Sequence, residues 1–221
     1  IRMGDLLYKD YLKERLETVV PLKNLELKAY GGETFDVEKL YNDLLEVADK
    51  LKDHIVDTTI FLQKAIKEGK KVLFEGAQGS MLCLNYGTFP YVTSSSPLAT
   101  AIPNNTGLPL NSVDNILGIM KAYTTRVGEK GHEYGTVTHR PRRVGWLDIP
   151  QLKFVKNISG VNHVAIMLLD VLSAVKEIKI ITKYFLNGKE IDYMPSNVNE
   201  LSHVTTESIT LPSWTEDIST C

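Results

Sequence analysis

Lys71-Val72-Leu73-Phe74-Glu75-Gly76-Ala77-Gln78-Gly79-Ser80 carries a short apolar run straight into a glycine-rich turn. Open α/β sheets present their ligand-binding groups at such places, at the carboxyl ends of strands. The stretch therefore predicts an α/β fold with a buried strand over 71–75. Glycines let the backbone approach a ligand and expose N–H donors, and Gln78 offers both a donor and an acceptor. The same residues also suit a plain strand-to-helix turn with a surface glutamine. No Gly-Lys-Ser/Thr follows, so this is not a Walker A loop.

Upstream, Val37, Leu40, Leu44, Val47, Leu51, Ile55, Ile60 and Ile66 recur at helical spacing. Asp36 suits the start of that run and Gly69 its end, with Asp57-Thr58-Thr59 breaking it into two helices. Downstream, residues 94–112 are rich in Ser, Pro, Asn and Gly and read as loop. Ser112 is placed to cap a helix through Val113, Ile116, Leu117, Ile119 and Met120. Residues 163–169 predict a second buried strand that stops at Asp170. Two alternating runs within 176–194 flank Asn187-Gly188, a strong hairpin signal. After Pro195 the chain turns polar and irregular, with no closing element. The expected fold is α/β, a mixed and mostly parallel sheet flanked by helices, with a β-hairpin around Asn187-Gly188.

Composition narrows the function. The 221 residues carry a net charge of -2, without the basic excess that nucleic-acid binding needs. An anionic ligand has to be met by locally clustered cations. The two cysteines, Cys83 and Cys221, offer neither a disulfide framework nor metal-ligand spacing, which points to a reducing, cytoplasmic setting. No apolar run reaches the roughly 20 residues of a membrane span. Met is the third residue, so the chain is expected to begin partway through a longer protein.

Three local clusters can carry chemistry. Tyr91-Val92-Thr93-Ser94-Ser95-Ser96 aligns four hydroxyl side chains that suit either a phosphate or solvent. Within Thr136-Val137-Thr138-His139-Arg140-Pro141-Arg142-Arg143, three guanidinium groups make a local positive field suited to carboxylates and phosphates. A solvated basic face is the competing reading; interleaved aromatics, which nucleic acid would favour, are missing. Pro141 stiffens the segment. Asp170, closing an apolar strand, can accept paired N–H bonds from a purine or cap the following helix. His132, His139 and His203 stand apart from one another, and no catalytic or metal-ligating set is legible.

FEGAQG at 74–79, YGTFPYVTSS at 86–95, LGIMKAYTTRVG at 117–128, RRVGWLD at 142–148 and LDVLSAVKEIKI at 169–180 follow in order, between an opening IRMGDLL and a closing LPSWTED. Together they resemble the adenylosuccinate synthetase family. The resemblance implies a P-loop-NTPase-like fold and one incomplete domain over 1–221: a helical segment at 1–70, a nucleotide and aspartate-loop region at 71–175, and a hairpin and tail at 176–221. It further implies GTP-dependent ligation of IMP to L-aspartate in purine biosynthesis, a homodimer, and Mg2+ held outside this chain. By the same resemblance IMP meets Gln78, Thr93, Val127 and Arg140. Aspartate meets the loop of Thr136, Val137, Thr138, His139, Arg140, Pro141 and Arg142, and GTP meets Arg142, Leu168, Leu169 and Asp170.

Departures from the family pattern stand beside the match. His139 replaces a glycine, which is expected to remove access to positive φ, and Pro141 replaces an arginine. Leu168 replaces a lysine. Only five residues separate Gly128 from Tyr134, where the family has a longer excursion; either the loop is short or residues are missing from the sequence. The family's phosphate loop, with its catalytic Asp and magnesium ligand, and the His that follows it are not in this sequence. The chain alone is therefore expected to be inactive. The alternative is a non-catalytic descendant that binds purine nucleotides or a partner, and beyond that an anion-binding domain unrelated to purines.

Overall fold

The structure is a computed structural model describing residues 1–127, 133, 134, 139, 141–216 and 218. It divides into two compact units, Ile1–Val72 and Leu73–Cys221.

The first unit is helical: α1 (Lys9–Ala29), α2 (Val37–Leu51) and α3 (Thr58–Lys67). Leu12, Leu16 and Val20, four residues apart and therefore on one helix face, are buried with Leu6 and Ala48. Val37, Leu40 and Leu44 of α2 pack against them. The expected Asp36 cap forms, its carboxylate accepting from the Lys39 amide at 2.7 Å. The break at Asp57 holds too, and there Asp57 also caps α3, accepting from the Ile60 amide at 3.1 Å. Gly69, at φ 71°, follows the end of α3 in the left-handed conformation that costs glycine little.

The second unit holds α4 (Ile102–Thr106), β1 (Leu117–Lys121), β2 (Thr124–Val127), β3 (Glu133–Tyr134), β4 (Pro141–Gly145), β5 (Leu147–Asp148), α5 (Ile149–Ser159), β6 (His163–Met167), β7 (Glu177–Leu186), β8 (Lys189–Ile191), α6 (Val198–Ser202) and β9 (Thr205–Pro212). The mixed α/β class expected from the sequence is what forms. β1 pairs with β6 in parallel, and β5 with β7; β2, β4 and β3 form an antiparallel sheet. β7 is the spine of the largest sheet, taking β9 along one edge and β5 and β8 along the other. Asn187 and Gly188 turn the β7–β8 hairpin with φ of 53° and 76°, the two positive values a type I′ turn requires.

Asp148 locks α5 to this sheet. Its carboxylate accepts from the Gln151 amide at 3.0 Å, capping α5, and from the buried Tyr184 hydroxyl of β7 at 2.5 Å. Burial and this carboxylate push the Tyr184 phenol well above its ordinary range.

Four expectations need correction. Residues 71–75 join no ladder, and Leu73 is 90% exposed; apolar propensity makes a strand only where a partner backbone meets it. Residues 117–120 are strand β1, not helix, because β6 pairs with them in register, Leu117 against His163. Ser112 donates to the Pro109 carbonyl at 2.6 Å and caps nothing longer than a turn. The stretch after Pro195 contains α6 and then β9, whose ladder runs nearly the length of β7.

Candidate functional site

The glycine-rich turn opens a loop folded back on itself. The Thr88 amide donates to the Met81 carbonyl at 3.1 Å, Thr93 to Leu82 at 2.8 Å, and Leu84 to Ser95 at 3.1 Å. A Cβ on Gly87 would collide with the carbonyl oxygens of Met81 and Cys83, so this fold of the loop needs glycine there. Cys83 is fully buried beneath it, its sulfur 3.3 Å from Ser96 Oγ. Burial pushes its thiol up, but hydrogen bonds involving Ser96 and the backbone at Tyr86 and Asn85 together bring it below the usual range.

This return brings Thr93 and Ser95 to Gln78. Gln78 Nε2 donates to Thr93 Oγ1 at 3.0 Å, and Ser95 Oγ donates to Gln78 Oε1 at 3.4 Å. Gln78 itself sits at φ 70°, a left-handed conformation costing a non-glycine residue about 1 kcal/mol. An amide and two hydroxyls are thus gathered on an exposed ledge. Each retains hydrogen-bonding capacity, since an amide carries two N–H donors and two acceptor lone pairs.

A second cluster forms at the carboxyl ends of β1 and β6. The ladder closes with the Ala122 amide donating to the Met167 carbonyl at 2.9 Å. Leu168, at φ 61°, then turns the chain through Leu169 into the 3-10 turn Asp170–Ala174. The residue preceding that turn is Leu169, and no side-chain cap bond forms there, so the helix-cap reading of Asp170 does not hold. The carboxylate instead acts on Tyr123, whose hydroxyl is pushed up by burial and then by Asp170. From behind, Trp214 Nε1 donates to Ser173 Oγ at 2.7 Å, and Ser213 Oγ to the Leu172 carbonyl at 3.1 Å. Trp214 also packs on a core of Ala122, Tyr123, Leu172 and Ile178. The closing LPSWTED motif thus buttresses the segment that carries Asp170.

The basic run, read as a loop, is strand from Pro141 onward. Arg142 pairs with Val127 and Arg143 with Arg126. Alternation along a strand sends Arg142 and Arg143 to opposite faces, so their guanidinium groups do not act as one field. Arg143 lines a shallow cleft with Thr124, Thr125, Val144 and Gly145. Arg142 lies near Lys121, whose ammonium is held below its usual range by burial and then by that guanidinium. The Lys121 Nζ stands 5.6 Å from the centre of the Tyr123 ring and 3.5 Å from Thr125 Oγ1. His139 is exposed at φ 50°, so the replacement of glycine has not closed the left-handed region here. Histidine is among the residues enriched there. Thr136, Val137, Thr138 and Arg140 lie outside the described residues.

The structure therefore gathers Gln78 with Thr93, and links Arg142 and Asp170 through Lys121 and Tyr123. Sequence reasoning did not single out Lys121 and Tyr123; the Lys121-Ala122-Tyr123 run at the end of an apolar strand is the signal that could have found them. Among the described residues no group of three or more His, Cys, Asp or Glu is placed to hold a metal ion. Among them, too, no helix is long and apolar enough to cross a membrane.

Charged side chains at the carboxyl ends of a parallel strand pair, and a polar ledge on a glycine-rich loop, make this an α/β protein whose strand ends resemble those where open α/β sheets present ligand-binding groups. The sequence profile of adenylosuccinate synthetase matches residues 1–221. The chain belongs to the adenylosuccinate synthetase family. It is 42% identical to the adenylosuccinate synthetase of Limosilactobacillus fermentum, with 99% of this chain and 55% of that protein aligned. Identity to the Thermoanaerobacter sp. protein of the same name is 43%, over 99% of this chain and 55% of that protein. Among solved structures, the fully ligated adenylosuccinate synthetase of Plasmodium falciparum superposes with a TM-score of 0.90 at 34% identity, covering 100% of this chain and 56% of that one. The chain spans about half the length of these relatives.

Proposed function

We propose that this chain is the central portion of a cytoplasmic, homodimeric adenylosuccinate synthetase, which joins IMP to L-aspartate at the expense of GTP. The two compact units are read as parts of one incomplete domain. In this reaction GTP phosphorylates the 6-oxygen of IMP as the N1 proton is withdrawn, and the aspartate amine then displaces phosphate. Magnesium would neutralise charge on the transferring phosphoryl group, and its ligands belong to residues outside this chain.

The chain's own residues bind and orient. Gln78 and Thr93 hold IMP, with the backbone at Val127 near its ribose. Arg140 reaches aspartate and the IMP ribose, within the loop of Thr136, Val137, Thr138, His139, Pro141 and Arg142. Arg142 meets the GTP phosphates, and Asp170, after Leu168 and Leu169, reads the guanine ring. Guanidinium groups and oriented N–H donors lower the barrier by meeting charge where it develops.

The observation that carries this reading is the Gln78 ledge, held in a strained backbone conformation and fixed by two hydroxyls. Gln78→Asn tests it, because asparagine accepts positive φ and withdraws the amide by one methylene. In the full-length protein the KM for IMP should rise about tenfold, equivalent to about 1.4 kcal/mol, with the KM for GTP within about twofold of wild type. Unchanged IMP kinetics would remove Gln78 from the site. A second reading, a descendant that binds purine nucleotides or a partner without turnover, is favoured by one observation: Leu168 stands where the family has lysine. Absence of adenylosuccinate formation by the full-length protein would select it.

A further inference from the structure

We propose that Lys121 is a second cation of the nucleotide-phosphate subsite, acting beside Arg142 on the triphosphate. This rests on the reading of Arg142 and Asp170 as nucleotide contacts. Lys121 is the last residue of β1, at the carboxyl end of the parallel β1–β6 pair, and lies opposite Met167 in register. Asp170 follows three residues later, so the lysine and the base-reading carboxylate leave adjacent strands at the same end. The lysine does not reach away into solvent. Its Nζ is held 5.6 Å from the Tyr123 ring centre and 3.5 Å from Thr125 Oγ1. Thr125 shares its face of the β2–β4 sheet with Val144 and, two residues along β4, Arg142. A half-buried ammonium is therefore fixed within electrostatic reach of a guanidinium, which together with burial disfavours its charge. A polyanion meeting both cations would favour the charged ammonium again and be held by the two as a clamp. The Tyr123 ring helps to hold the ammonium by cation–π attraction, while Thr125 Oγ1 accepts one of its N–H bonds.

The test compares GTP with guanosine, which shares the base and ribose and lacks the phosphates, by titration calorimetry on the full-length protein. Lys121→Met keeps the aliphatic stem over Tyr123 and removes the charge. GTP should bind at least tenfold more weakly to this variant and guanosine within about twofold of wild type, and Lys121→Arg should recover most of the loss. Equal weakening of both ligands would mean that Lys121 only supports Tyr123, and would overturn the proposal. GTP affinity unchanged in Lys121→Met but lost in Arg142→Met would remove Lys121 while leaving the nucleotide reading intact. No change in either variant would sink that reading and this proposal together. On the unmodified protein, GTP but not guanosine should shield Lys121 from amine acetylation read by mass spectrometry. Equal labelling in both overturns the proposal even if the variants do not fold.

Discussion

The buried phenol of Tyr184 shows how much one side chain can say about stability. Its shift favours the protonated form in the folded chain, while an unfolded tyrosine titrates near about 10. The stabilisation is therefore complete below about pH 10 and is lost as pH rises above it, by up to about 1.4 kcal/mol per pH unit. Tyr184→Phe should destabilise the full-length protein by about 1–2 kcal/mol near neutrality, and the gap from wild type in urea unfolding should narrow by about pH 11. A gap that does not change with pH would detach the phenol from Asp148. Arg140 makes a different prediction, about chemistry. Arg140→Leu should raise the KM for aspartate far more than that for GTP, since losing a charge-assisted pair costs about 2–4 kcal/mol. Unchanged aspartate kinetics would take Arg140 out of the site. At this scale the sequence alone was ambiguous: Gln78 meets Thr93 fifteen residues away, a contact that composition and spacing do not encode.

The closing motif and the strand ends form a working element. Trp214→Phe keeps most of the ring and deletes the donor to Ser173. If that bond holds the Asp170 segment, GTP affinity should fall roughly fivefold, about 1 kcal/mol, with IMP affinity unchanged. Equal losses for both ligands would show only a weaker fold. Elements were legible where local chemistry decides them. The Asp36 cap, the helix break at Asp57 and the Asn187-Gly188 turn depend on residues adjacent in sequence, and all form as expected. Ile116-Leu117-Gly118-Ile119-Met120 is apolar at both helical and strand spacing, and only β6, 46 residues on, resolves it. β9 was hidden for a related reason: its residues are largely polar and solvent-facing, and pairing with β7 makes the strand.

At the scale of the molecule, exposed apolar surface is the dominant feature. Leu117, Ile119, Val164, Ile166 and Met167 are all exposed, so both faces of the parallel β1–β6 pair lie open. Parallel sheets are ordinarily covered on both faces, and unpaired edges invite association. Residues 1–221 expressed alone should therefore self-associate in light scattering and form no adenylosuccinate from GTP, IMP, aspartate and magnesium. A cooperatively folding monomer would favour the free-standing binding protein, and turnover would show that the catalytic groups lie within this chain. The large sheet behaves differently, because β7 is bonded along both edges. A strand so enclosed gives up its amide protons only when the whole sheet separates. In deuterium exchange, β7 should then keep its protium after β1 and β6 have lost theirs, marking the last part of the molecule to open.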